Sequence, residues 1–336
     1  MDYSFYIGND ISKEWFDVAV LNAQTPRKTD HQRFENTEKG FKALMNWLKR
    51  KGIKDLSLAF FCLEHTGVYS VPFCRFLSKK GANYSLIPGS EIKESLGITR
   101  GKSDQVDAKR IAQYAYKNKD FMRIHTLPTE VVRKLKACLS YRDRLIKSRH
   151  GFMVSAKELK AHETEEVSNR IFEGSQLMIE QINDELSQLE EAIDQLIKQH
   201  PELKRNYDLL LSVPGIGVQV ALHLIVSTQN FVCFNCPKKF AAYSGIAPFK
   251  SDSGKSIKSR SKVSHKANKK MKTLLSIAVV NSIRRCPDYR LYFEKQLKKG
   301  KHENSIKNVI RNKIVSRAFA VIKRNSPYEN RHTFAA

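Results

Sequence analysis

Alternation of apolar and polar residues predicts a β-rich start to the chain. Residues 3–9 (YSFYIGN) and 16–22 (FDVAVLN) are rich in aromatic and β-branched residues and lie on either side of a short polar turn, which predicts two strands. Residues 31–36 (HQRFEN) can form a third, antiparallel strand. Residues 56–64 (LSLAFFCLE) form a near-continuous apolar run, which is typical of a buried central strand.

Helical periodicity then alternates with predicted strands. Residues 38–50 place their apolar side chains at helical spacing, and helices are also predicted over 68–81 and 104–117, with a strand at 84–89 between them. Three consecutive strands followed by α/β alternation are the pattern of an RNase H-like (RuvC-like) sheet. We therefore predict an α/β domain over residues 1–125.

The pattern becomes helical after Pro128. A first long helix is predicted over 129–162. It is followed by an apolar seam with the 3-4-3-4-3 spacing of a coiled coil, made of Ile179, Ile182, Leu186, Leu189, Ile193 and Leu196. Fewer than three full heptads fit this seam, so a coiled coil and a helical hairpin packed on itself are equal alternatives. We assign residues 126–200 to this helical segment, which ends at Pro201.

Residues 201–336 are predicted to be mainly α-helical. The run LLLSVPGIGVQVALHLIVS (209–227) predicts two helices around a Pro-Gly-Ile-Gly turn, which is the shape of a helix-hairpin-helix. Gly215 and Gly217 would permit a close approach of backbone N–H groups to a phosphate, while an ordinary tight turn between core helices is the alternative. Three further helices are predicted, over 236–243, 266–285 and 303–324.

Charge separates the two parts of the chain. The net charge is +25 over 336 residues, and residues 201–336 contain 27 Lys and Arg against 7 Asp and Glu, so +20 lies there and +5 in the first 200 residues. A basic segment of this size predicts a polyanionic partner, because each neutralised phosphate releases counterions. An anionic membrane fits poorly, since no helix separates an aromatic or aliphatic face from a Lys/Arg face. We expect nucleic acid as the partner and no membrane association.

Cysteine usage favours a reducing compartment. The six cysteines are scattered through a long chain rather than spaced as a disulfide framework. The N-terminal residues MDYSFYIGNDISKEWFD contain early acids and do not resemble a signal peptide. We expect a cytoplasmic protein associated with the bacterial nucleoid.

Two further patterns favour structural roles. Cys233 and Cys236 form a CxxC pair, but no second Cys or His pair completes a zinc site, so ordinary thiols are favoured. Tyr289, Tyr292 and Phe293 lie among basic residues and could stack on unpaired bases, although helix packing is the favoured role.

Four acids are the candidates for chemistry. Asp10 and Glu64 end the first and the buried predicted strands, and Asp104 and Asp107 share one face at a helix start. Each alone is most simply a turn or cap residue. In an RNase H-like sheet, however, all four would converge, and converging carboxylates repel one another unless divalent cations neutralise them. Two hard metal ions about 4 Å apart that clamp a phosphate are the known use of such a cluster.

The segments that contain these acids resemble a known family. GNDISK (8–13), LEHTGVY (63–69) and GKSDQVDAKRIAQYA (101–115) are similar to the three acidic motifs of the DEDD insertion-sequence transposases, which work with a bridge RNA. SVPGIG (212–217) and FAAYSGIAP (240–248) resemble their C-terminal domain. The resemblance implies that Asp10, Glu64, Asp104 and Asp107 bind Mg²⁺ or Mn²⁺, with two ions in each active site.

The resemblance also selects one serine from a basic segment. Residues 249–272 contain six serines, and the family pattern Pro-x-x-x-x-Ser-Gly, matched from Pro248 to Gly254, implies that Ser253 is the nucleophile. A serine hydroxyl needs activation by a metal or a base, and a metal is favoured here. Asp252, beside it, departs from the family pattern, as Asn9 does beside Asp10. Phosphate contacts are possible for the surrounding cations, Lys250, Lys255, Lys258, Arg260 and Lys262.

The sequence therefore predicts an RNA-guided DNA transposase or recombinase that forms a phosphoserine link with DNA. Its expected partners are donor and target DNA, a structured guide RNA, and further copies of the chain in a dimer or tetramer. Two alternatives remain. One is a metal-only RuvC-like nuclease or resolvase, and the other is a basic nucleic-acid-binding protein without enzymatic activity, whose acids are caps.

Overall fold

A computed structural model describes residues 2–95, 103–162, 164–248, 252–253, 257–258, 263 and 266–329. The chain divides into two compact units, Met1–Leu127 and Pro128–Ala336. Within the described ranges, every helix is either too short or too polar to span a lipid bilayer.

The first unit is built on a mixed five-stranded sheet of order β3-β2-β1-β4-β5. The strands are β1 (Phe5–Ile11), β2 (Trp15–Asn22), β3 (Thr29–Glu35), β4 (Ala59–Glu64) and β5 (Asn83–Ile87). β1, β2 and β3 form an antiparallel meander, whereas β4 pairs parallel to β1, and β5 pairs parallel to β4. The predicted α/β character of this segment is confirmed.

Helices cover both faces of this sheet. They are α1 (Glu38–Arg50), α2 (Val71–Lys79), α3 (Gly89–Ser95) and α4 (Asp104–Lys117), and short 3-10 turns span Leu56–Leu58 and Gly67–Ser70. Because strand side chains alternate between faces, Ile7 and Phe61 lie in the core that contains α1 and α2. Tyr6 and Cys62 lie in the core that contains α3 and α4.

Asn9 is fully buried, and strand alternation places it on the face opposite Asp10. Its Nδ2 donates to the carbonyl oxygens of Ile7, at 3.0 Å, and Cys62, at 3.1 Å. This unusual polar residue therefore ties β1 to β4 rather than joining the acidic residues.

The second unit is helical. It begins with the two longest helices, α5 (Glu130–His162) and α6 (Glu165–Lys198), which pack against each other. α7 (Pro201–Leu211), α8 (Val218–Thr228), α9 (Pro237–Tyr243), α10 (Lys269–Arg285), α11 (Pro287–Lys298) and α12 (Glu303–Arg324) follow, with two-residue strands β6 (Asp252–Ser253) and β7 (Ile257–Lys258). The predicted helical character of this part is confirmed.

One apolar core joins the base of the long helices to the later ones. Leu135 and Leu139 of α5 and Ile193 and Ile197 of α6 lie in the same cluster as residues of α7 to α12, so this core continues across Pro201. Farther along the two helices, Arg142 pairs with Glu190 and Arg149 with Asn183. The two helices thus form a hairpin whose outer part packs on itself.

Candidate functional site

The strand register gathers three carboxylates on one face of the sheet. Asp10 of β1 pairs directly with Asp17 of β2, and paired residues point to the same face. Glu64 follows Cys62 by two residues on β4, the parallel neighbour of β1, and so also shares that face. All three acids therefore face the layer of α3 and α4.

The N-terminal turn of α4 brings two more carboxylates to this face. Ser103 caps the helix, since its Oγ accepts a hydrogen bond from the Val106 amide at 3.3 Å, and Asp104 and Asp107 lie in the first turn. The helix approaches the sheet closely because β1 has no side chain at Gly8: a Cβ there would lie 2.2 Å from the Ala108 carbonyl oxygen.

Electrostatics show that these acids lie near one another. The pKa of Asp10 is raised to about 6, first by burial and then by the negative charges of Glu64, Asp107, Asp104 and Asp17. The structure thus brings together all four acids singled out in the sequence and adds a fifth, Asp17. We name these five residues the acidic cluster.

Asp17 is absent from the sequence-based candidates. It is 4% exposed, and its Oδ1 lies 2.6 Å from Nε2 of His31, while its Oδ2 accepts hydrogen bonds from Arg33 at 2.9 Å. Arg33 extends to Asp104, where Nη2 donates to Oδ2 at 2.6 Å. The sequence did contain a signal for Asp17, because it is a charged residue inside the apolar run FDVAVLN and lies opposite Asp10 across a tight turn.

The acidic cluster fits divalent cations by its charge. Five carboxylates share this face with two arginines, since Arg110 pairs with Asp107 at 2.9 Å and Arg33 bridges Asp17 and Asp104. In the part of the chain that the structure describes, no three His, Cys, Asp or Glu side chains are gathered closely enough to hold a metal ion. Asp104 and Asp107 each pair with a guanidinium group instead. Hard oxygen donors with excess negative charge are nonetheless what Mg²⁺ and Mn²⁺ bind.

Glu64 is positioned by a close backbone neighbour. A Cβ at Gly89, at the start of α3, would lie 2.0 Å from Oε1 of Glu64. The glycine therefore leaves the space that the carboxylate occupies, and the sequence-based prediction gave no role to this residue.

The structure describes little of the predicted serine site. Asp252 pairs with Lys258, and Ser253 pairs with Ile257 in the β6–β7 ladder. Four of the predicted phosphate contacts lie outside the described residues, namely Lys250, Lys255, Arg260 and Lys262. The backbone just before this segment is held at Ile246, whose carbonyl oxygen accepts hydrogen bonds from Asn308 and Asn312 of α12 at 2.8 and 3.2 Å.

The two glycines of the predicted helix-hairpin-helix lie in different surroundings. Gly215 has a φ of +95°, and a Cβ there would lie 2.1 Å from Oγ of Ser282 on α10, so this glycine serves core packing. Gly217 precedes α8 as its N-cap, is exposed, and has no atom within 4 Å of its built Cβ.

The helical core contains Tyr289 and packs against Tyr292 and Phe293, which is the role expected of these residues. All six cysteines are free of disulfide bonds. Tyr289 is 2% exposed and stacks against Arg317, 4.9 Å from its ring centre, which leaves no face for a nucleobase.

Two transposase family models match this chain. A transposase model for the DEDD domain of IS110 elements matches residues 7–157, and a model described as transposase IS116/IS110/IS902 family matches residues 207–294. The pilin gene-inverting protein of Moraxella bovis is 29% identical over 334 residues, which cover 97% of this chain and 98% of that protein. The insertion element IS110 uncharacterized 43.6 kDa protein of Streptomyces coelicolor is 28% identical over 151 residues, or 45% of this chain and 36% of that protein.

Proposed function

The chain belongs to the IS110/IS116/IS902 family of transposases, and from this membership we propose that it cuts and exchanges DNA strands with the acidic cluster and a serine nucleophile. The observation that carries the proposal is the convergence of Asp10, Glu64, Asp104 and Asp107 on one face, reported by the raised pKa of Asp10. Enzymes use such perturbed carboxylates where charge must be balanced during a reaction.

The first unit is proposed to be RNase H-like, specifically RuvC-like. The sheet order β3-β2-β1-β4-β5, with a meander followed by two parallel strands, supports this assignment. A helix that packs on β1, β2 and β4 and supplies two acids supports it as well.

Asp10, Glu64, Asp104 and Asp107 would hold two divalent ions, Mg²⁺ or Mn²⁺. When bound, such ions neutralise the charge of the transferring phosphoryl group and favour ionisation of an attacking hydroxyl. Asp17, held by His31 and Arg33, lies beside the site.

Ser253 is proposed as the nucleophile. Its hydroxyl oxygen would form a bond to a DNA phosphorus atom while one phosphorus–oxygen bond to deoxyribose breaks, and the serine proton would pass to the leaving oxygen. The basic residues Lys250, Lys255, Lys258, Arg260 and Lys262 would contact backbone phosphates of the bound strand.

Replacing Ser253 with Ala tests this role. We expect DNA binding to be unchanged, whereas strand exchange and the covalent protein–DNA adduct, seen on a denaturing gel, should disappear. Ser256→Ala, three residues along the same segment, is the matched control and should retain both. Recombination by Ser253→Ala at the wild-type rate would refute the assignment, and recombination without any adduct would favour the metal-only alternative.

A structured guide RNA and both DNA duplexes are the proposed polyanionic partners. The charge of +20 over residues 201–336 supports this. Within the helix-hairpin-helix, the phosphate contact is proposed for Gly217 rather than the packed Gly215. Sequencing of RNA that co-purifies with the protein checks the guide: one abundant structured RNA is expected, and a mixture without enrichment would contradict it.

Self-association is proposed to involve the outer part of the α5–α6 hairpin, because recombining two duplexes needs more than one active site. Large apolar side chains are exposed there on both helices: Phe152, Met153, Val154, Val167, Ile171, Phe172, Leu177 and Met178. An apolar surface of this kind on a soluble helical arm marks a binding face.

A further inference from the structure

Trp15 is exposed on the face that carries the acidic cluster. The chain contains two tryptophans, and Trp47 is 6% exposed and packs against Phe34 in the α1 core. Trp15, by contrast, is 43% exposed. Its ring is therefore accessible to a ligand, which the ring of Trp47 is not.

The strand register fixes where this ring lies. Trp15 is the first residue of β2 and precedes Asp17 by two residues, so both side chains emerge on the same face. Asp17 in turn pairs with Asp10. Two residues along a strand span about 7 Å. Trp15 therefore borders the acidic cluster.

Hydrogen bonds hold the backbone of Trp15 in place. The Trp15 carbonyl oxygen accepts bonds from the Oγ of Ser12, at 2.7 Å, and from the Ser12 amide, at 2.9 Å. Asn36 Nδ2 donates to the carbonyl oxygens of Ser12, at 3.0 Å, and Tyr69, at 3.1 Å. The turn that carries Trp15 is thus tied to the loop after β4, where Tyr69 is also 43% exposed.

We propose that Trp15 stacks on an unpaired base of the DNA strand whose phosphate lies at the acidic cluster. This inference rests on the proposed function. Without bound metal ions, five carboxylates repel the backbone of a nucleic acid, so the metal-free face cannot hold a strand mainly through its phosphates. Aromatic rings attract the bases instead, independently of sequence, and rings on a fixed backbone lose little freedom on binding.

Tryptophan fluorescence of the full-length protein in EDTA tests the proposal without turnover. Trp47 is buried, so a change in emission on addition of single-stranded oligothymidylate reports on Trp15. We expect quenching by the single strand and weaker quenching by a duplex. Trp15→Leu should abolish the quenching and weaken single-strand binding, measured by anisotropy of a labelled oligonucleotide, roughly 5- to 100-fold.

Phe121→Ala is the matched control, since Phe121 is an 82% exposed aromatic residue of the same unit outside the strands. It should bind and quench as the wild type does. The proposal is overturned if saturating single strand leaves the emission unchanged, or if Trp15→Leu binds with wild-type affinity. Stronger quenching by oligouridylate would assign the site to RNA instead, and quenching by higher protein concentration alone would assign it to a second copy.

These outcomes are separable from the serine chemistry. Quenching that persists while Ser253→Ala still recombines normally would leave the stacking site intact and remove the proposed nucleophile. If quenching is absent in a protein that still forms the covalent adduct, the stacking site is refuted and the proposed nucleophile stands.

Discussion

The surroundings of Asp10 destabilise the charge on its carboxylate. Its pKa of about 6 lies above the ordinary value of 3.8, because burial removes water from the carboxylate and four acids repel its negative charge. Between these two pH values the folded protein binds more protons at Asp10 than the unfolded chain does. The contribution of Asp10 to the free energy of unfolding therefore falls as the pH rises through this range, and the loss is complete above pH 6.

Asp10→Asn should consequently raise the thermal midpoint of the metal-free protein. In EDTA at pH 8 the variant lacks the repelled charge, so its midpoint should exceed that of the wild type, and the difference should shrink toward pH 4, where Asp10 is protonated. Mn²⁺ should stabilise the wild type and have a smaller effect on the variant. Scanning calorimetry at several pH values measures both. A midpoint below that of the wild type at pH 8 would contradict this account.

At the residue scale, the sequence identified the acids at or near the ends of elements but not the one inside a strand. Asp10 and Glu64 adjoin the end of a predicted strand, and Asp104 and Asp107 lie in the first turn of a predicted helix, where a functional side chain is easily recognised. Asp17 lies inside an apolar strand, and its relation to Asp10 depends on the pairing register, which the turn at residues 12–14 determines. Gly89 and Arg33 act through contacts with residues distant in the chain, which periodicity does not encode.

The placement of α4 depends on Gly8. This helix supplies Asp104 and Asp107, and it contacts β1 where the strand lacks a side chain, with the Ala112 amide 2.3 Å from a built Cβ. A backbone neighbour cannot rotate away as a side chain can. The distance of the whole helix from the sheet is therefore set at this one residue.

Gly8→Ala should displace α4 and lower the free energy of unfolding by about 1–3 kcal/mol or more, the cost of overpacking a core. Metal binding should weaken too, because two of the acids move with the helix. Urea unfolding and Mn²⁺ titration measure the two effects. Gly174→Ala in α6 is the control, since no atom lies within 4 Å of its built Cβ, and it should be neutral or stabilising by up to about 1 kcal/mol. Equal stability of the two variants would contradict the account.

At the scale of elements, regular apolar periodicity predicted the bounds of several helices, whereas local turns that start or delay an element were not predicted. The helices expected over 38–50, 104–117 and 303–324 have the observed bounds. The apolar run 56–64 instead begins with a 3-10 turn, since Asp55 accepts a hydrogen bond from the Ser57 amide and delays the strand to Ala59. Helix α11 was not predicted, because Pro287 starts a new helix directly after the Arg-rich end of α10.

At the scale of the whole molecule, the acidic cluster and the excess positive charge lie in different units. The first unit contains the acidic cluster, and the second contains most of the excess positive charge. The coiled-coil and hairpin alternatives for the middle segment resolve at this scale: α5 and α6 pack on each other along their length. An apolar seam alone did not distinguish a partner within the chain from a partner in another chain.

Replacing Met153 and Leu177 together with glutamine should weaken self-association. Both side chains are exposed on the outer part of the hairpin, so the change should leave the fold intact. It should lower the weight-average molar mass at a concentration where the wild type associates. Analytical ultracentrifugation over a concentration series measures this. Leu297→Gln, an exposed apolar position on α11, is the control. An unchanged weight-average molar mass for the double variant would exclude this surface as the contact.

The outer part of the α5–α6 hairpin has a length that can be compared with the helical repeat of DNA. Beyond Leu139, the last residue of α5 in the shared core, the helix continues to His162, and at 1.5 Å per residue this outer part is roughly 35 Å long. That is about one turn of B-form DNA, roughly 10 base pairs. Two helical cores joined end to end through their arms would therefore lie about two turns apart and meet the same side of a duplex. In the proposed self-association, the length of the hairpin therefore sets the spacing between the two helical cores.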